Sequence, residues 1–153
     1  MKDEHEYLTQ AKYDEFKAEL QQLKTVRRKE VAENLEYAKA LGDLSENAEY
    51  HEARDVQAAV EDRIAHLEMV LKTATIISSH DTSSVTIGSV VTVKKEKEEK
   101  TFTVVGTEEA DMAKGKISVR SPFGAAALGK KKGESFSFST PSGTMEYKVV
   151  DIK

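Results

Sequence analysis

Apolar residues in the first half of the chain recur three and four positions apart: Phe16, Leu20 and Leu23, then Val31, Leu35 and Ala38. That spacing predicts an amphipathic helix from about Thr9 to Leu41, and no proline or glycine interrupts it. A second stripe with coiled-coil spacing, through Val56, Val60, Ile64, Leu67, Leu71 and Ala74, predicts another from about Ser45 to Thr75. At about 1.5 Å per residue, each is a rod of roughly 45 Å. Joined by only a few residues, two such helices fold back as an antiparallel hairpin that buries one stripe against the other. The turn becomes a remote tip. The stripe thins there to Ala38, Ala48 and Ala53, which bury little apolar area and predict a tip less stable than the base.

After Ile77 the pattern changes. The polar stretch SSHDTSSVTIG predicts a linker or loop. Alternating segments follow at 90–93, 101–105, 116–119, 135–139 and 145–150, rich in β-branched and aromatic residues, and these predict strands. The PSG at 141–143 predicts a turn between the last two. A short helix is expected from Pro122 to Gly129. The chain therefore divides into a helical hairpin, residues 1–79, with its tip at about 42–49, and a small α+β domain, residues 80–153. Phe102, Phe136, Phe138 and Tyr147 are the expected core of the second part.

Composition narrows the function classes. Without cysteine in its 153 residues the chain has neither disulfides nor thiolate metal sites, which suits a reducing cytoplasm. No apolar run nears the roughly 20 residues needed to span a bilayer, and the start lacks a signal-peptide core. A cytoplasmic protein is expected. Residues 1–79 hold 11 Lys or Arg against 17 Asp or Glu, and residues 80–153 hold 12 against 10. An acidic hairpin argues against simple wrapping of nucleic acid and favours a protein partner.

Candidate chemistry gathers at the tip, LGDLSENAEY. Two accounts of its acids stand side by side. Gly42 can end the first helix, and Asp43 with Glu46 three residues on has the spacing of a capping box, although Ser45 or Asn47 could cap equally well. Yet one capping acid suffices, and Asp43, Glu46 and Glu49 crowd together at a cost of a few tenths of a kcal/mol. Such a group suits a divalent cation. Magnesium prefers six oxygens, so two exposed carboxylates would hold it only if another molecule completed the shell. His51-Glu52 lacks the second histidine of the zinc helix motif, since Asp55 stands there. His5, His66 and His80 are scattered, no glycine loop cradles phosphate, and Lys130 to Lys132 is a short solvated run.

These residues also carry a resemblance. LKTVRRKEVAENLEYAKALGDLSENAEYHEAR at 23–54, RIAHLEMVLKTATII at 63–77, GSVVTV at 88–93, ISVRSPFGAAALGKKKGE at 117–134 and STPSGTMEYKVVDI at 139–152 resemble the bacterial Gre transcript cleavage factors, and among them the GreA type. The resemblance implies an N-terminal antiparallel coiled coil followed by an FKBP-like antiparallel sheet domain with a short helix. It implies a monomer that binds bacterial RNA polymerase and reaches through the secondary channel to a backtracked RNA 3′ end. There it would stimulate the polymerase's own RNA cleavage as a non-autonomous co-catalyst. Asp43 and Glu46 match the acids that help hold a magnesium ion shared with the polymerase. Arg54, Lys39 (where an arginine is familiar), Tyr50, Arg27 and Arg28 match RNA-contacting or tip-supporting positions. Ser121, Pro122, Phe123, Leu128 and Gly129 match the polymerase-docking surface. Isomerase activity is not expected, because there is no tryptophan and the aromatics are needed for a small core. A Gre-like channel inhibitor and a structural coiled-coil adaptor remain as alternatives; the intact GDLSENAEY speaks against the first.

Overall fold

The structure, a computed structural model, describes residues 6–78 and 81–153. His5, His80 and the boundary expected after Ser79 lie outside the described residues. The chain forms two compact units: Tyr13–Thr73 is one, and the described residues up to Lys12 together with those from Ala74 onward form the other.

The first unit is the helical hairpin. Helix α1 (Gln10–Gln22) runs through a π-helical segment, Leu23–Arg27, into α2 (Arg28–Lys39), and α3 (Ala48–Thr73) returns. The π segment was not expected: the eight-residue step from Leu23 to Val31 does not demand it, since Val56 to Ile64 is an equal step within unbroken α3. Beyond the segment, Val31, Leu35 and Ala38 lie on the buried face. Val31, Val60 and Ile64 form the buried cluster, with Leu20, Leu23 and Val56 packed against it. Towards the end of α3 the structure buries Val70 and leaves Leu71 half-exposed, where Leu71 was the expected stripe residue.

Cross-hairpin ion pairs flank this core. Arg63 grips Glu19 with two bonds of 2.8 and 2.9 Å and lies over the Phe16 ring at 5.4 Å. Arg28 grips Glu61 at 2.8 and 2.7 Å, and Lys24 pairs with Glu68. Each is substantially exposed, so each contributes about 0–1 kcal/mol and chiefly fixes register.

The second unit holds two sheets. Strands β1 (Glu6–Thr9) and β2 (Ala74–Ile77) pair in parallel, Glu6 opposite Ala74 through Thr9 opposite Ile77. Sequence periodicity had assigned Thr9 and Ala74–Thr75 to the helices. The β-branched run Thr75, Ile76, Ile77 favours a strand instead, and the intervening helices supply the long crossover that parallel pairing needs. The larger sheet has order β5-β4-β3-β7-β6, from β3 (Val90–Lys95), β4 (Glu98–Val105), β5 (Lys116–Ser118), β6 (Ser135–Thr140) and β7 (Gly143–Ile152). All neighbours are antiparallel except β4 and β5. All five strands coincide with expected segments, Pro141-Ser142 makes the turn before β7, and helix α4 (Pro122–Ala127) is the expected short helix.

Phe123, on α4, is the hub of the core at 5% exposure, with ring centroids of Phe102, Phe136, Phe138 and Tyr147 within 5.0–5.7 Å. The supposed linker also contributes: Val85 is fully buried, and its N–H and C=O bond to Lys130 and Gly129. Glu109 is buried as well. Its carboxylate accepts from the Thr9 N–H (3.2 Å) and hydroxyl (2.9 Å), with Lys116 Nζ at 3.5 Å, which offsets the cost of burying a charge. Nearby, a Cβ on Gly106 would lie 2.1 Å from the Tyr7 carbonyl oxygen. Gly106→Ala should therefore push β1 away and destabilise this unit by about 1–3 kcal/mol. Denaturant unfolding followed by near-UV circular dichroism reads this, and an unchanged midpoint would contradict the close approach.

Candidate functional site at the hairpin tip

The connection between α2 and α3 runs from Ala40 to Asn47, longer than the few residues expected. Gly42 turns the chain at φ 138°, a conformation strained for other residues. Helix α3 begins at Ala48, so the capping-box assignment to Asp43 and Glu46 is corrected. Asn47 is the cap: its Oδ1 accepts the Tyr50 N–H at 3.0 Å, and its Nδ2 donates to the Ala38 carbonyl at 2.6 Å. One amide thus satisfies an orphan donor of α3 and adds a second bond to the Ala38 carbonyl of α2, which also accepts the Leu41 N–H at 3.2 Å.

Asp43 is released from capping and closes an Asx turn. Its Oδ1 accepts the Ser45 N–H at 3.0 Å and the Ser45 hydroxyl at 3.1 Å. These bonds, the backbone one foremost, hold its carboxyl below the usual aspartate range. Its Oδ2 bonds to no described residue. Glu46 and Glu49 are exposed, and their carboxylates bond to no described residue.

Among the described residues, no three His, Cys, Asp or Glu side chains converge as a metal site. Asp43 and Glu46 nevertheless offer the hard oxygen donors, one or two carboxylates, that magnesium commonly takes when water and phosphate fill its other positions. The donor set fits a share of such a site.

Of the cationic positions, Lys39 and Arg54 are exposed and pair with no described residue. Arg27 is engaged by Glu30 at 3.2 Å and Arg28 by Glu61, whose bonds also raise the Arg28 pKa. Arg28 is a hairpin clamp more than a free contact. Tyr50 is half-buried, edge-on to His51 at 5.7 Å. In the second unit, Ser121 caps α4 by accepting the Gly124 N–H at 3.0 Å, while Pro122, Leu128 and Gly129 are exposed. Phe123 is corrected: it is core, and only its neighbours can meet a partner.

The residues match two family models, "Transcription elongation factor, N-terminal" over 6–76 and "Transcription elongation factor, GreA/GreB, C-term" over 79–153. The chain belongs to the GreA/GreB family of transcription elongation factors. It is 48% identical to the transcription elongation factor GreA of Chloroherpeton thalassium, with 96% of each chain covered. It is 46% identical to that of Clostridioides difficile, covering 100% of this chain and 99% of the relative. The solved structure of GreA factor homolog 1 (Gfh1) of Thermus thermophilus is 30% identical over 97% of this chain and 99% of that one, with a TM-score of 0.45. No described helix is long and apolar enough to cross a membrane.

Two outcomes follow from the tip geometry. Asn47→Ala should cost about 1 kcal/mol and speed amide exchange in the first turn of α3 and at the end of α2 together. Since the folded-state pKa of Asp43 is depressed, its Ser45 bonds persist from neutral pH through the ordinary carboxylate range and are lost only as pH falls through the lowered value. Ser45→Ala removes the hydroxyl donor but keeps the N–H, so an NMR titration should find the Asp43 pKa raised part of the way back; no rise would contradict the assigned cause.

Proposed function

We propose that this protein binds RNA polymerase, extends its hairpin tip through the secondary channel to the active centre, and stimulates cleavage of backtracked RNA without being an enzyme by itself. The observation that carries this is the freedom of the tip acids: Asn47 does the capping, while Asp43 is held ionised by Ser45 and Glu46 stands unpartnered beside it.

In the complex, Asp43 and Glu46 would be two ligands of a magnesium ion whose other ligands come from the polymerase and the RNA. When bound, magnesium supplies the charge that makes water nucleophilic near neutral pH. The Ser45 bonds orient the Asp43 carboxylate before it meets the ion, so less freedom is lost on assembly. Glu49 adds negative potential. Lys39 and Arg54 are available to attract the phosphates of the extruded strand, with Lys39 acting as a point charge where an arginine would be bidentate. Tyr50, half-buried, supports the tip. Docking uses the exposed side of α4 and the residues after it, Pro122, Leu128 and Gly129, with Ser121 fixing the start of that helix.

The test uses a backtracked elongation complex and follows RNA length. Magnesium-dependent shortening from the 3′ end is expected. Asp43→Ala or Glu46→Ala should each slow it by on the order of 10²-fold or more, the range for losing a catalytic group, while polymerase binding persists. Cleavage unchanged in both variants would remove their assigned roles, and binding with blocked synthesis but no cleavage would identify an inhibitor.

A further inference from the structure

An open groove of about 420 Å³ lies between α2 and α3 beside the tip, within the roughly 300–1,000 Å³ typical of small-ligand clefts. Its floor is apolar, from Val31, Ala38, Ala53 and Val56, where the alanines thin the hairpin. Tyr37 forms one wall and is 65% exposed. It lies off the buried stripe of Val31, Leu35 and Ala38, so its ring adds little to the hairpin core. Asn34, Glu49 and Glu52 complete the walls, and their side chains bond to no described residue. The groove has a single cation, Arg27, already engaged by Glu30. Two acids and one neutralised cation make a poor phosphate site. They suit an uncharged planar group that presents hydrogen-bond donors.

We propose that this groove binds a nucleobase of single-stranded RNA, an inference that rests on the hairpin meeting RNA as proposed above. Tyr37 is the stacking face, since every base has a π surface that an aromatic ring can take. The Glu49 and Glu52 oxygens accept from the exocyclic amine of adenine, cytosine or guanine, and the Asn34 amide, both donor and acceptor, meets the remaining edge. Uracil, with O4 where cytosine has its amine, turns an acceptor towards the acids and is disfavoured.

The test is an NMR titration of the full chain with CMP, AMP, UMP and ribose 5-phosphate. CMP and AMP should produce saturable shifts of the Tyr37 ring and the Asn34 side-chain amide, with UMP at least about five-fold weaker. Tyr37→Ala should weaken CMP binding roughly five-fold or more, and Tyr37→Phe should retain it. Because the ring is largely exposed, both variants keep the hairpin fold. The proposal is overturned if ribose 5-phosphate gives the same shifts, if CMP gives none by about 20 mM, well above a millimolar dissociation constant, if UMP binds equally, or if Tyr37→Ala binds as before. No polymerase is present, so this outcome is independent of the cleavage assay.

Discussion

Asn47 is the side chain on which the tip depends. Its amide joins the last turn of α2 to the first turn of α3 by bonds of 2.6 and 3.0 Å, capping one helix and tying it to the end of the other from a single residue. The consequence is chemical. Carboxylates that would have been absorbed as caps are left with oxygen lone pairs facing solvent, and Asp43 alone is pre-oriented, by Ser45.

The same division of labour runs along the hairpin. Arg28, Arg63 and Lys24 spend their charge on Glu61, Glu19 and Glu68 across the two helices. Lys39 and Arg54, near the tip, have no such acid among the described residues. Some cations thus fix register across the hairpin while Lys39 and Arg54 stay available near the tip, a distinction that the net charge of the segment conceals.

Much of the fold was legible because it follows from period. The hairpin, five strands, the last turn and α4 each follow from apolar spacing or turn chemistry. What escaped depends on contacts remote in sequence. Nothing local distinguishes Glu109 from a solvated acid until Thr9, a hundred positions away, lies against it. Val85 sits in a polar stretch, and Phe123 on a six-residue helix; each reads as surface until the sheet closes over it. The π segment likewise has no local signature, because the eight-residue step from Leu23 to Val31 recurs from Val56 to Ile64 in unbroken helix. At the tip, spacing allowed Asp43, Ser45 or Asn47 as cap, and only the extra length of the connection decides for Asn47.

That π segment makes the hairpin intolerant in a particular way. A helix turns about 100° for each residue. Removing one residue between Leu23 and Arg27 would let the segment return to ordinary helical bonding with α2 unrotated, whereas a deletion within α2 itself, which has no wide turn to absorb it, would rotate everything beyond it by that angle. The acids and the Tyr37 groove would then face another azimuth. The bulge acts as a phase adjuster: it lets two lengths of helix with different register requirements share one partner, and it ties the direction in which the tip presents its oxygens to a site some twenty residues away.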